Sequence, residues 1–197
     1  MVTGMKKQVR LFRSERGYTT LELLVTVGIM GTIAAMAAVQ IGLARPAFKG
    51  DGAMRQVVAQ MNIARELAIT QRRFVQIAFT VDNQVRLTRE NVPNGTTVIQ
   101  TVPLEGGIRF GLTPGVPDTP DNFGNAAAIS FGAAALMRFT TEGQLVDQAG
   151  APISGSVFLN WPGTGQGQER AARAVTILGA TGRIRGYRWD GRNWKRI

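Results

Sequence analysis

The chain has 197 residues, with no cysteine, no histidine and a formal net charge of +10. The absence of these two residue types excludes disulfide bonds, thiol and histidine catalysis, and Cys/His metal sites, so we expect no enzyme, no metal and no cofactor. Charge is uneven: residues 1–17 carry +4, residues 18–169 carry −1 and residues 170–197 carry +7. Such asymmetry indicates a polyanionic partner.

An apolar run without any charge, residues 23–39, dominates the N-terminal part of the chain. The surrounding segment, 18–44, exceeds the roughly 20 helical residues that span the hydrocarbon core of a membrane. The basic leader, residues 1–17, predicts that this end stays cytoplasmic. We therefore expect a single-pass helix over residues 18–45 and a soluble domain over residues 46–197.

Two features of this segment need explanation. A secretory signal ends its apolar region with a small-residue cleavage site, whereas here the candidate site, Gly17-Tyr18, precedes it, so that cleavage would leave the helix as an anchor. Glu22 is the one charged residue within the segment. A charge in lipid costs about 2.5–3.5 kcal/mol even on lenient scales. Glu22 therefore either reaches water at the membrane edge or pairs with a positive charge on another protein.

After the anchor, apolar residues at three- and four-residue spacings predict an amphipathic helix from about Gly52 to Arg72. Gly50 and Gly52 each weaken a helix by roughly 1 kcal/mol relative to alanine. This pair predicts a kink or an unwound turn, with Asp51 as a candidate N-cap for the second half of the helix.

Beyond Arg73 the pattern alternates and predicts strands with tight turns at Asp82-Asn83 and Glu142-Gly143. Residues 113–125 and 161–168, rich in proline and glycine, are predicted loops. The predicted strands are 74–81, 84–89, 97–102, 108–112, 136–140, 144–147, 156–160, 174–178 and 183–189. One long N-terminal helix followed by strands predicts an α+β fold, with the helix packed on an antiparallel sheet.

The C-terminal segment combines basic and aromatic residues. Residues two apart share a face of a strand, so Arg183, Arg185 and Tyr187 are expected on one face, with Arg188 and Lys195 close by. Arginine binds phosphate bidentately and aromatic rings stack on bases, which suits a sequence-tolerant DNA binder. Two alternatives remain: a strand edge protected by charge, or a contact with acidic residues of a neighbouring subunit.

Two other groups of residues are weaker candidates for a binding site. Asp118 and Asp121 lie in a proline-rich loop that is too sparse in ligands for a calcium site. The glycines of residues 163–167 lack the strand and helix of a phosphate-binding loop.

The N-terminal residues resemble the processing signature of type IV prepilins and pseudopilins, in which a short basic leader ends in glycine before an aromatic residue, a glutamate at the fifth mature position and an apolar helix. Gly17, Tyr18 and Glu22 occupy these positions. The resemblance implies insertion in the bacterial inner membrane, cleavage after Gly17 by a prepilin peptidase, N-methylation of Tyr18 and assembly through the helix. It implies that Glu22 pairs with the Tyr18 amine of an adjacent subunit, and that the soluble domain is periplasmic or in the filament.

Three further blocks resemble the GspH/FimT family: residues 62–70, residues 137–143 with a Phe-x-x-x-Gly hairpin, and residues 175–185, which end in Gly-Arg-x-Arg. This resemblance implies a minor pilin of a type IV pilus or a minor pseudopilin of type II secretion, with other pilins as partners. In FimT-like proteins the Gly-Arg-x-Arg motif is implicated in DNA uptake. A DNA-binding minor pilin that uses Gly182, Arg183 and Arg185 is therefore the alternative function.

Overall fold

The structure is a computed structural model that describes residues 17–134, 136–163 and 165–197, with the backbone alone for Leu43 and Gln166. The predicted leader therefore lies outside the described residues, except for Gly17. The chain divides into two compact units, one that ends at Gly42 and one that comprises Leu43–Ile197.

The first element is helix α1, Thr20–Gln71. Thr19 is its N-cap: the Thr19 carbonyl accepts the N–H of Leu23 at 3.1 Å, and Thr19 Oγ1 accepts the N–H of Glu22 at 3.2 Å. Every described side chain from residue 17 to residue 42 is exposed. By length and composition, α1 is the one helix among the described residues that is long and apolar enough to cross a membrane.

The strands that follow α1 form two antiparallel sheets. The first has the order β3-β2-β1-β6-β7, and the second has the order β11-β10-β9-β8-β4, with β5 also paired to β8. The strands are β1 Val75–Phe79, β2 Gln84–Glu90, β3 Thr96–Pro103, β4 Arg109–Phe110, β5 Ile129–Ser130, β6 Arg138–Phe139, β7 Leu145–Val146, β8 Gly155–Asn160, β9 Arg173–Leu178, β10 Arg183–Trp189 and β11 Trp194–Arg196. A 3-10 helix, Glu105–Gly107, follows β3, and helix α2, Gln166–Ala171, precedes β9.

The predicted α+β class is confirmed, and the strands divide between two sheets rather than one. The core lies where the second half of α1 meets both sheets. The helix contributes small and flexible residues at helical spacing to this core: Ala53, Met54, Val57, Met61, Ala64 and Ala68. The β1-β2 and β6-β7 hairpins form at the predicted turns.

Three short elements differ from the sequence prediction. Helix α2 begins inside the predicted loop 161–168, and strands β5 and β11 have no predicted counterpart. The glycines before and within α2 favour a loop locally. Tertiary packing opposes this preference, because Ala171 at the end of α2 is fully buried.

The predicted unwound turn at Gly50 and Gly52, and the N-cap role of Asp51, are wrong. Helix α1 continues through all three residues. Gly50 is buried, and a Cβ there would lie 2.7 Å from the carbonyl oxygen of Ala171. The glycine therefore permits a close approach between α1 and α2, which offsets its low helix propensity. Asp51 binds a side chain of strand β9 instead of capping a helix.

Candidate assembly helix and candidate nucleic-acid interface

The predicted processing site lies just before α1. Gly17, Tyr18 and Thr19 are exposed and non-helical, and Tyr18 is 77% exposed. The Gly17–Tyr18 peptide bond therefore lies outside the hydrogen-bonded helix, in the kind of exposed backbone that peptidases cleave. Glu22 lies in the first turn of α1, where the helix macrodipole stabilises a negative charge.

The helix from Thr20 to Gly42 presents apolar side chains to its surroundings in every direction. Each large hydrophobic side chain in this stretch is at least half exposed: Leu21, Leu23, Leu24, Val25, Val27, Ile29, Met30, Ile33, Met36, Val39 and Ile41. Removing one such side chain from water is worth about 1.5–3 kcal/mol. This surface therefore requires lipid or other apolar helices around it.

The four predicted DNA-binding residues lie on opposite faces of the second sheet. Arg183 and Arg185 share one face of β10 with Tyr187, because side chains alternate along a strand. Arg188 lies on the other face, and its cross-strand neighbour in β11 is Lys195, on that same side. The strand geometry therefore agrees with the predicted common face of Arg183, Arg185 and Tyr187, and it puts Arg188 and Lys195 on the other face.

The loop between β4 and β5 covers part of the face that carries Arg185 and Tyr187. Asp121 of this loop accepts hydrogen bonds from Tyr187 Oη at 2.9 Å, from Thr176 Oγ1 at 2.6 Å and from Arg185 Nη1. Burial raises the pKa of Asp121, but these hydrogen bonds and the charge of Arg185 outweigh it, so the pKa lies below its ordinary value. Arg185 is therefore already paired with a carboxylate.

The remaining predicted basic residues differ in their availability. Arg183 is exposed and makes no ion pair with any described residue. Lys195 pairs with Asp190 at 3.0 Å, and Arg188, with 48% of its side chain exposed, lies 3.9 Å from Asp51.

Arg173 is a central residue that the sequence analysis missed. Its side chain is fully buried and donates to Asp51 at 2.7 Å, and to the carbonyl oxygens of Arg170, Ala172 and Ala47 at 2.7, 2.8 and 3.0 Å. Burial lowers the pKa of Arg173, and the hydrogen bond and charge of Asp51 only partly oppose this shift. One arginine thus joins α1, the end of α2 and β9. The available signal was an arginine at the start of an otherwise apolar strand.

Arg65 is a second residue whose role the sequence analysis missed. Its Nε donates to the carbonyl oxygen of Gly143 at 3.0 Å, and its Nη2 donates to that of Thr181 at 3.4 Å. Gly182 has φ +63°, and a Cβ there would lie 2.0 Å from the Gly143 oxygen. The three blocks that resemble the GspH/FimT family therefore meet at one point, where α1 joins the β6-β7 turn to the β9-β10 turn.

Comparison with known proteins gives two structural neighbours. No family model and no curated protein matches the chain. The type IV minor pilin FimU of Pseudomonas aeruginosa aligns at a TM-score of 0.42 and 16% identity, over 68% of this chain and 84% of that chain. The minor pseudopilin EpsH of the type 2 secretion system of Vibrio cholerae aligns at a TM-score of 0.46 and 12% identity, over 74% and 99% of the two chains.

Proposed function

We propose that the protein is a minor pilin or pseudopilin, a structural and non-enzymatic subunit of a type IV pilus or type II secretion machine. The observation that carries this proposal is the exposed apolar helix from Thr20 to Gly42, with one carboxylate, Glu22, in its first turn. It precedes a unit with its own core over residues 43–197. Such a helix needs lipid before assembly and neighbouring helices after it.

The proposed sequence of events begins in the inner membrane with the basic leader on the cytoplasmic side. A prepilin peptidase cleaves after Gly17, and the new amine of Tyr18 is methylated. Helix α1 then leaves the lipid and packs against the helices of other pilins. Tyr18 precedes the first helical residue, whereas Glu22 lies in the first turn of α1. In the assembled filament, the Tyr18 amine of an adjacent subunit pairs with Glu22 and sets the register.

Replacing Gly17 with valine should abolish leader removal, because a branched side chain then stands at the scissile bond. A Cβ at Gly17 meets nothing within 4 Å, so the variant should fold normally. The measurement is an immunoblot of the full-length protein expressed with its peptidase, which resolves the precursor from the mature band. Gly28→Val is the matched control, since a Cβ at Gly28 also meets open space; it should be processed normally. Complete processing of Gly17→Val would refute the proposed cleavage after Gly17.

Replacing Glu22 with glutamine should leave processing intact and strongly reduce incorporation into filaments, because the amide keeps the shape of the side chain and loses its charge. The measurement compares sheared filaments with the membrane fraction. Glu66→Gln on the same helix is the control, since Glu66 is exposed within the folded unit. Equal incorporation of the two variants would favour the membrane-edge interpretation of Glu22.

A second candidate function, DNA binding during uptake, is supported by Arg183, which is exposed and without an ion-pair partner among the described residues. Arg196 shares this face, because it lies opposite Tyr187 in the β10-β11 register. Arg185 contributes only if Asp121 releases it. The candidate DNA-binding surface on this face therefore centres on Arg183 and Arg196.

Replacing Arg183 with glutamine should weaken DNA binding and lower the slope of log affinity against log salt by about 1, because one phosphate contact is lost. Fluorescence anisotropy of labelled duplex DNA with the full-length protein in a neutral detergent measures both quantities. Arg188→Gln, the same charge change on the other face of β10, should have little effect. Absence of binding by the wild type at low salt, or equal effects of the two variants, would end this candidate.

A further inference from the structure

A cavity of about 540 Å³ lies between α1, α2 and the turn that joins β10 to β11. Three arginines line it, Arg170, Arg173 and Arg188, and the side chain of Arg173 is fully buried in its wall. They come from three different elements, α2, β9 and β10, so only the folded unit brings them together. Arg173 is held rigidly by its hydrogen bonds to Asp51 and to backbone carbonyl groups, whereas Arg188 is half exposed.

Nearby carboxylates do not neutralise this cavity fully. Asp51 is shared by two guanidinium groups, at 2.7 Å from Arg173 Nε and 3.9 Å from Arg188 Nη1. Asp190 lines the cavity, but it pairs with Lys195 at 3.0 Å and accepts two backbone N–H groups of its own turn. These bonds hold the pKa of Asp190 far below its usual range.

Glu169 is the other carboxylate in the cavity wall. Among the described residues, Asp51 is the one carboxylate in an ion pair with Arg173 or Arg188, so these two guanidinium groups carry one more positive charge than Asp51 neutralises. Guanidinium groups bind phosphate oxygens with matched geometry, and their charge does not depend on pH in the physiological range.

The position of the cavity along the chain indicates where a phosphate would come from. Ala47, which lines the cavity, follows the end of the apolar segment at Ala44 by three residues. The next residue, Phe48, is 72% exposed, although it belongs to the folded unit. Arg45 and Lys49 flank it. The Lys49 ammonium group lies over the Trp161 ring, 4.4 Å from its centroid, whereas Arg45 is exposed. An exposed aromatic side chain near a basic residue, directly after a membrane helix, is typical of the interface with lipid headgroups.

We infer that this cavity binds the phosphate of an anionic phospholipid headgroup while the subunit is still in the membrane. Arg188 supplies the half-exposed guanidinium group, and Arg173 supplies a fixed positive charge behind it. The inference rests on the membrane anchoring proposed above. It assigns Arg188 to lipid, and leaves Arg183, on the opposite face of β10, for other partners.

The test uses the full-length protein in a neutral detergent, titrated with phosphatidylglycerol or phosphatidylcholine, and native mass spectrometry counts the bound lipids. The wild type should retain phosphatidylglycerol in preference to phosphatidylcholine. Arg188→Gln should reduce this retention about fivefold, the effect of one interfacial arginine. The matched control is Arg183→Gln, the same charge change on the same strand and the opposite face, which should retain phosphatidylglycerol like the wild type. Glu169→Gln should increase retention.

Two results would overturn the inference directly: equal retention of the two lipids by the wild type, or equal losses of phosphatidylglycerol in the two arginine variants. A third would be stabilisation of the protein against thermal unfolding by inorganic phosphate that depends on Arg188, without any preference for phosphatidylglycerol. Thermal unfolding of both variants at the wild-type temperature shows that the fold is intact. Carbonate extraction of membranes tests the underlying proposal separately. Extraction of the wild type into the soluble fraction would refute the anchor, whereas a retained protein without lipid preference would refute only the headgroup site.

Discussion

Replacing Asp51 with alanine should destabilise the folded unit by about 3–5 kcal/mol, the usual result of removing one partner of a buried ion pair. Arg173 is fully buried, and Asp51 is its one carboxylate partner among the described residues. The three carbonyl acceptors of Arg173 would remain after the substitution, but they do not neutralise its charge. Arg188 already repels Arg173, and the substitution removes the carboxylate that lies near both guanidinium groups.

Urea unfolding followed by tryptophan fluorescence measures this effect, because all three tryptophans, Trp161, Trp189 and Trp194, lie in the folded unit. Glu66→Ala, an exposed change on the same helix, should alter the free energy of unfolding by less than about 0.5 kcal/mol. Adding Arg173→Met to Asp51→Ala should restore part of the loss, since no unpaired buried charge remains. A loss below about 1 kcal/mol for Asp51→Ala would show that the carbonyl groups alone satisfy Arg173.

This ion pair accounts for the continuity of α1 through two glycines. The helix is weak at Gly50 and Gly52 by propensity alone, yet Asp51 between them is tied to β9 through Arg173. The Ala47 carbonyl, one turn earlier, accepts another hydrogen bond from the same guanidinium group. Two attachments to one buried side chain hold this turn of the helix against the sheet.

Replacing Gly182 with alanine should destabilise the folded unit by about 3 kcal/mol. The φ of +63° costs an alanine roughly 1–2 kcal/mol. The new Cβ would also lie 2.0 Å from the carbonyl oxygen of Gly143 and 2.8 Å from Arg65 Nε. Either the β6-β7 turn or Arg65 must move to relieve this clash, and overpacking of this kind typically costs 1–3 kcal/mol.

The control for Gly182→Ala is Gly150→Ala. Gly150 has φ +87°, and a Cβ there meets nothing within 4 Å, so this variant carries the backbone strain without the clash. In urea unfolding, the free energy of unfolding of Gly150→Ala should therefore be about 1–2 kcal/mol below that of the wild type. That of Gly182→Ala should be clearly lower still. Equal losses of unfolding free energy in the two variants would mean that the β6-β7 and β9-β10 turns can move apart with little loss of stability.

The Gly182 substitution tests whether the Gly-Arg-x-Arg segment has a structural role within the fold. In the structure, Gly182 lies close against the Gly143 carbonyl of the β6-β7 turn, and Arg185 forms an ion pair with Asp121. Two of the three residues that the sequence assigns to DNA binding therefore have contacts within the fold. Arg183 alone of the three is exposed without an ion-pair partner among the described residues.

The sequence by itself predicted the apolar N-terminal helix, the hairpins at residues 82–83 and 142–143, and the α+β class. Each depends on local periodicity or on turn chemistry, which neighbouring residues determine. It also placed Gly17, Tyr18 and Glu22 in a recognisable spacing; their roles stay predictions.

Only the tertiary structure decided how residues distant in sequence are paired. Asp51 and Arg173 are 122 positions apart, and Arg185 and Asp121 are 64 apart. No local pattern distinguishes a buried, paired arginine from a solvated one. The alternation of β10 placed Arg183 and Arg188 on opposite faces, but only the packing of the β4-β5 loop on one face and of α1 on the other determined what each arginine meets. Burial and pairing, rather than the count of basic residues, therefore define which charges remain for a partner.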